Sequence, residues 1–138
     1  MNLNKLDTIA AANKGMSFFV KDLDGVETDI EISIVGMGGL VHKEASNVRN
    51  YELAQLEKAK APTTPAAILA LEEAKEALYI KCLAKCITGW KNLQENDKDI
   101  PFSTEKAVEI LTAYPIIKHS VAEATGDVQG FLERHNKG

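Results

Sequence analysis

Residues 65–88 are written as one long helix. Thr64 suits the N-cap, and Pro65 suits the first helical position, where its missing N–H costs nothing. Leu71, Ala74, Leu78, Cys82 and Cys86 recur at helical spacing and form one apolar seam. Leu69, Ile80, Leu83 and Ile87 widen that seam, so burial along much of the helix is expected and the helix should be the spine of the core. Gly89 is the expected stop. Glu72, Glu73, Lys75, Glu76, Lys81 and Lys85 interrupt the apolar run too often for it to span a bilayer.

The segments around this helix follow the same logic. Leu3, Leu6, Ile9 and Ala10 predict a short helix over 2–13, ended by Gly15. Ser17–Asp22 and Thr28–Val35 read as strands joined by an Asp24-Gly25 turn. In the second strand Ile30, Ile32 and Ile34 alternate with Asp29, Glu31 and Ser33, giving one wet and one buried face. A lone hairpin is marginal in water, so the isoleucine face must pack on a helix or pair with another chain. A helix is expected over 46–60, and Trp90–Pro101 reads as a loop. Ser103 caps a helix to about Ala113. Pro115 then separates a helix over 116–124, and Gly126 separates a last helix over 128–135, after which 136–138 should fray. The expected fold class is mostly α: a helical single domain over 1–138 with one β-hairpin near the N-terminus. A helix and hairpin occupy 1–40, and a helical part occupies 46–135.

Composition excludes several function classes. With 138 residues, 45% of them hydrophobic and 26% charged, the chain has the size of one domain and a modest core. A net charge of −4 without any basic run gives no footprint for nucleic acid. Met1–Lys14 does not read as a secretory signal. Two cysteines make no disulfide framework, which points to a reducing compartment.

Catalytic and cofactor motifs are weak. Ile32–Gly39 looks like a strand feeding a dinucleotide-binding glycine loop, but the third glycine of that spacing falls on Val41. A hairpin precedes the strand and no parallel strands follow, so a flexible turn is the plainer reading. Cys82 and Cys86 share a helix face without a second pair to complete a zinc site. His42, His119 and His135 sit in polar surroundings without a nucleophile, and Glu72-Glu73 reads as a solvated, ion-paired face. No cofactor, metal or catalytic residue is expected, and the chain reads as a non-enzyme.

One constellation remains. Gly89-Trp90 is followed by a polar loop, Ile100-Pro101-Phe102-Ser103, a short helix, Leu111-x-x-Tyr114-Pro115, and then Phe131. Aromatics beside capped helices either pin a loop to the core or anchor a partner.

The run Ile87–Leu93, with Ile100–Glu105 and Ile110–Pro115, resembles the tail assembly chaperones of long-tailed bacteriophages. In that family a helix ends in a Gly-Trp step, a polar loop leads to a Pro-Phe-Ser/Thr helix start, and a Leu-x-x-Tyr-Pro break follows. The likeness is specific over Thr88–Pro115. It departs at Asn96–Asp99, where a glycine is often found, and in the glycine-rich Met37–Gly39 stretch. The resemblance implies a helical, self-associating chaperone that holds the tape measure protein before the tail tube polymerises, with the major tail protein as a second candidate partner. It implies action in the host cytoplasm, absence from the mature virion and, in many relatives, a longer frameshifted form. It nominates Trp90, Phe102, Leu111, Tyr114 and Phe131 as the group that fixes the C-terminal part and supplies anchors to a partner. A structural tail or connector component of the virion is the alternative, and a small nucleotide-binding protein is the lesser one.

Overall fold

The isoleucine strand finds two partners. The computed structural model describes residues Met1–Gly138. Strands β1 (Met16–Lys21) and β2 (Glu27–Ile34) form the expected hairpin. Its turn is closed by Asp22, whose Oδ1 accepts the N–H groups of Asp24 and Val26 at 2.9 and 3.0 Å. A third strand, β3 (Ile87–Lys91), pairs antiparallel with β2, so the sheet order is β1-β2-β3. Ile32 stands opposite Phe18 on one side and Trp90 on the other. A two-stranded ribbon, β4 (Gln94–Glu95) and β5 (Lys98–Asp99), follows. Asn96 and Asp97 turn it with φ of 55° and 62°, the left-handed pair that a tight hairpin needs.

The expected fold class, a helical domain with one hairpin, is therefore corrected to a helix-rich α+β fold with a three-stranded sheet and a separate ribbon. Gly89 is a strand residue opposite Ser33 rather than a helix stop. The physical reason is pairing demand: β2 buries its isoleucines and leaves a ladder edge to fill, and the β-branched and aromatic run Ile87–Trp90 fills it. Trp90–Pro101 is accordingly strand and ribbon for the most part, not loop.

Six helices complete the chain. A 3-10 turn over Leu3–Leu6 precedes α1 (Thr8–Lys14). Asp7 accepts the Ala10 N–H at 2.9 Å and restarts the helix there, which splits the single helix expected over 2–13. Then come α2 (Leu40–Glu57), α3 (Pro65–Lys85), α4 (Thr104–Ala113), α5 (Pro115–Thr125) and α6 (Val128–Lys137). Thr64, Ser103 and Asp127 cap α3, α4 and α6 through their side chains. Helix α2 begins six residues before the expected start because its cap is remote: Asn13 Oδ1 accepts the Leu40 N–H at 2.7 Å. Helix α6 runs on through 136–137, where Asn136 donates to the Lys5 carbonyl at 3.0 Å, so that segment does not fray.

The core lies between the inner sheet face and the helices. Ile32, Ile34, Ile87, Leu111, Val121 and Phe131 are among its buried members. The burial expected along much of α3 is not found: only Ile80, Leu83 and Ala84, near its C-terminal end, are buried. Helix α2 buries Ala45 alone. The two pack on each other as an antiparallel pair, and the half of that pair around the 58–64 connection stands out as an arm.

Candidate partner-binding surfaces

Trp90 is a staple. Half-buried on β3, it donates its indole N–H to the Ile100 carbonyl at 2.7 Å and thereby holds the end of the ribbon segment against the sheet. Phe102 meets it edge to face, with ring centroids 4.9 Å apart and planes at 85°. Tyr114, between α4 and α5, holds the ribbon from another side by donating to Glu95 Oε2 at 2.7 Å. That bond to the Glu95 carboxylate, with the carboxylate's charge and some desolvation, raises the Tyr114 pKa above its ordinary 10.0. Asn92, at φ 62°, donates its side-chain amide to the Asp29 carbonyl at 3.0 Å.

The five residues nominated from sequence thus occupy different places. Trp90, Phe102 and Tyr114 converge on the ribbon, with Phe102 and Tyr114 partly exposed. Leu111 is 1% exposed and Phe131 2%, so both are core side chains. Phe131 lies under Gly36, where a Cβ would come within 2.9 Å of its ring. Gly39 approaches Asn13 and Ala12 as closely. These glycines allow helices α1 and α6 to meet the loop after β2, a close-packing use of the residue.

The surface missed by sequence reasoning is the arm. Tyr51 on α2 is 67% exposed, and Ile68 and Leu69 on α3 are 48% and 59% exposed. Leu69, expected to widen a buried seam, is exposed instead. Ile68 and Leu69 in fact sit around the helix from Leu71, Ala74 and Leu78, the half-buried positions of the seam. Near the tip, Leu56, Ala61, Pro62, Ala67 and Leu71 line an open groove of about 440 Å³. Nearer the base, the α2–α3 pair is fastened by Arg49 stacked over Tyr79 at 5.4 Å and by a Lys81–Glu52 ion pair at 3.3 Å. The signal in the sequence was angular: a helix with apolar residues on this many faces needs more than one covering element.

Other chemistry is limited. Cys82 and Cys86 are free thiols, and burial, with Cys82 beside it, pushes the Cys86 pKa up to about 11. No group of three or more His, Cys, Asp and Glu side chains is placed to hold a metal ion. No helix is long and apolar enough to cross a membrane.

Among known proteins, one family model matches, described as YdaY prophage protein, and it covers residues 40–137. No curated protein and no solved structure matches the chain. The matched stretch runs from the first residue of α2 through α6 and includes both the arm and the Trp90–Tyr114 staple. Since that is the greater part of its length, this chain belongs to the YdaY prophage protein family and is phage- or prophage-encoded.

Proposed function

We propose that this prophage protein is a tail assembly chaperone that holds an amphipathic helix of the tape measure protein, without catalysis, until the tail tube forms around it. The arm is the observation that carries the reading. It is a helix pair with Tyr51, Ile68 and Leu69 exposed, and at its tip lies a separate groove lined by Leu56, Ala61, Pro62, Ala67 and Leu71 and flanked by Glu57 and Lys60. Such a surface suits an apolar helical stripe laid into it. A tape measure helix has such a stripe and must keep it covered until assembly. The Gly89-Trp90 to Tyr114-Pro115 signature adds support, and its aromatics fasten the ribbon to the rest of the fold. Prophage origin fits a phage-morphogenesis role. On this reading the protein acts in the host cytoplasm and is left out of the mature virion.

Co-expression of the tape measure protein with the tagged chain tests the proposal. Expected is co-purification that is lost when Ile68 and Leu69 are both changed to Ser. Absence of co-purification, together with normal tails from a prophage lacking this gene, overturns it. Stoichiometric presence in purified particles overturns it in favour of a structural virion component.

A further inference from the structure

The β1–β2 turn carries apolar residues that the fold does not use. Asp22 and Gly25 make the turn: Asp22 Oδ1 accepts the Asp24 and Val26 N–H groups, and Gly25 takes a φ of 79°. Polar residues are favoured at the other positions of a tight turn. Here Leu23 is 92% exposed and Val26 60%. Leu23 lines an open groove of about 360 Å³ between the turn and the start of α5. Val20 and Ile117 line it as buried residues, and Ile30 and Ile116 as partly exposed ones. Val26 adjoins it, since its carbonyl accepts the N–H of Asp22, another lining residue. An apolar surface of this kind, rimmed by polar groups, marks an interaction site.

The same end holds the net charge of the chain. Residues 21–29 and 91–99 carry seven Asp and Glu against three Lys, a balance of −4 that equals the net charge of all 138 residues. The two segments are neighbours. Asn92 donates to the Asp29 carbonyl, and Glu95 accepts from Tyr114, two residues before Ile116 of the groove. In the groove lining itself, Asp22 and Asp24 face a single cation, Lys21, which stands opposite Glu27 in the strand pair. Neither aspartate has an ion-pair partner.

We propose that this end docks a basic segment of a partner protein, which seats aliphatic side chains in the groove and over Leu23 and sets Lys or Arg against Asp22 and Asp24. Charge selects the occupant. Nucleic acid and anionic lipid meet an excess of carboxylates and are repelled. A second copy brought end to end meets the same excess. A basic segment is drawn in by that field and pairs at the rim once the apolar side chains are seated. The arm contributes no residue to this surface, so the inference does not rest on the chaperone reading.

Fluorescence anisotropy with the full chain is the test. The probe is a labelled helical peptide of leucine and lysine, and a peptide of leucine and glutamate is its acidic counterpart. The chain carries Ile68→Ser and Leu69→Ser throughout, so that the arm does not take the probe. Expected is saturable binding of the leucine–lysine peptide alone, weakened by added salt. Leu23→Ser with Val26→Ser should weaken it at least about tenfold, and Asp24→Lys about fivefold. These three positions are exposed, so the variants should keep the circular dichroism of the parent. No binding at about 100 µM chain overturns the proposal. So does equal binding of the two peptides, or binding that the turn variants leave unchanged. A chain that self-associates through Leu23 and excludes the probe overturns it as well.

Discussion

The base and the arm of this molecule are built from similar residues and end in opposite states. In the base, the sheet and the helices α4–α6 close over Ile32, Ile34, Leu111, Val121 and Phe131 and exclude water from them. In the arm, 18-residue α2 buries a single alanine, and Ile68, Leu69 and Tyr51 stay wet. Hydrophobicity does not separate the two regions; the number of layers does. A sheet face covered by helices shields its apolar residues from both sides. Two helices alone shield one stripe each, and any apolar residue off that stripe faces solvent.

The sharpest way to break this comparison is to weigh one residue from each region by urea unfolding. Phe131→Ala should cost about 3–5 kcal/mol, since its ring fills a closed site under Gly36. A loss under about 1 kcal/mol would mean that the base is as open as the arm. Next in size is Trp90→Phe, which keeps most of the aromatic bulk and removes the N–H. It leaves the Ile100 carbonyl without the donor it has at 2.7 Å, for an expected cost of about 1–2 kcal/mol. Amide exchange at the ribbon should quicken in that variant while exchange in α3 stays as it was.

How much of this was legible in the sequence depends on how local each cause is. The β1–β2 hairpin follows from the isoleucine alternation and the Asp-Gly turn, and the caps at Thr64 and Ser103 lie beside the helices they start. Remote causes were not legible. Asn13 caps a helix 27 residues later, and local pattern alone places the start of α2 at 46 rather than at Leu40. Ile87–Lys91 becomes a strand because β2 has an edge to offer, a cause absent from the local sequence, where Gly89 has the pattern of a helix stop. The nominated aromatics were visible as a group, but their roles were not. Whether Leu111 faces the core and Phe102 partly faces water depends on what covers each, and that is a property of the packed whole.

The arm variant comes third in effect on stability. Ile68→Ser with Leu69→Ser should cost no more than about 1 kcal/mol of unfolding free energy, because about half of each side chain is already exposed. It should nevertheless abolish capture of the tape measure protein. A cost of several kcal/mol would instead show that some other element, or another chain, covers the arm.

The smallest effect probes the boundary itself. Cys82 and Cys86 are one helical turn apart. Cys82 lines the α2–α3 contact and is half-buried, whereas Cys86 sits where α3 enters the sheet and is fully buried. At pH 8, a thiol-reactive disulfide should therefore label Cys82 well before Cys86, and Cys86 should react only as the base unfolds. Burial first, and Cys82 second, raise the Cys86 pKa from an ordinary 9.0 to about 11. Through that interval the unfolded chain gives up its proton first and binds fewer protons than the folded one. The stability contributed by this group is thus full below pH 9 and is lost as pH climbs toward 11. Thermal melts of the parent and of Cys86→Ala should converge over that window. Parallel curves, or equal labelling of the two thiols at pH 8, would place the end of the arm at least one turn further along α3.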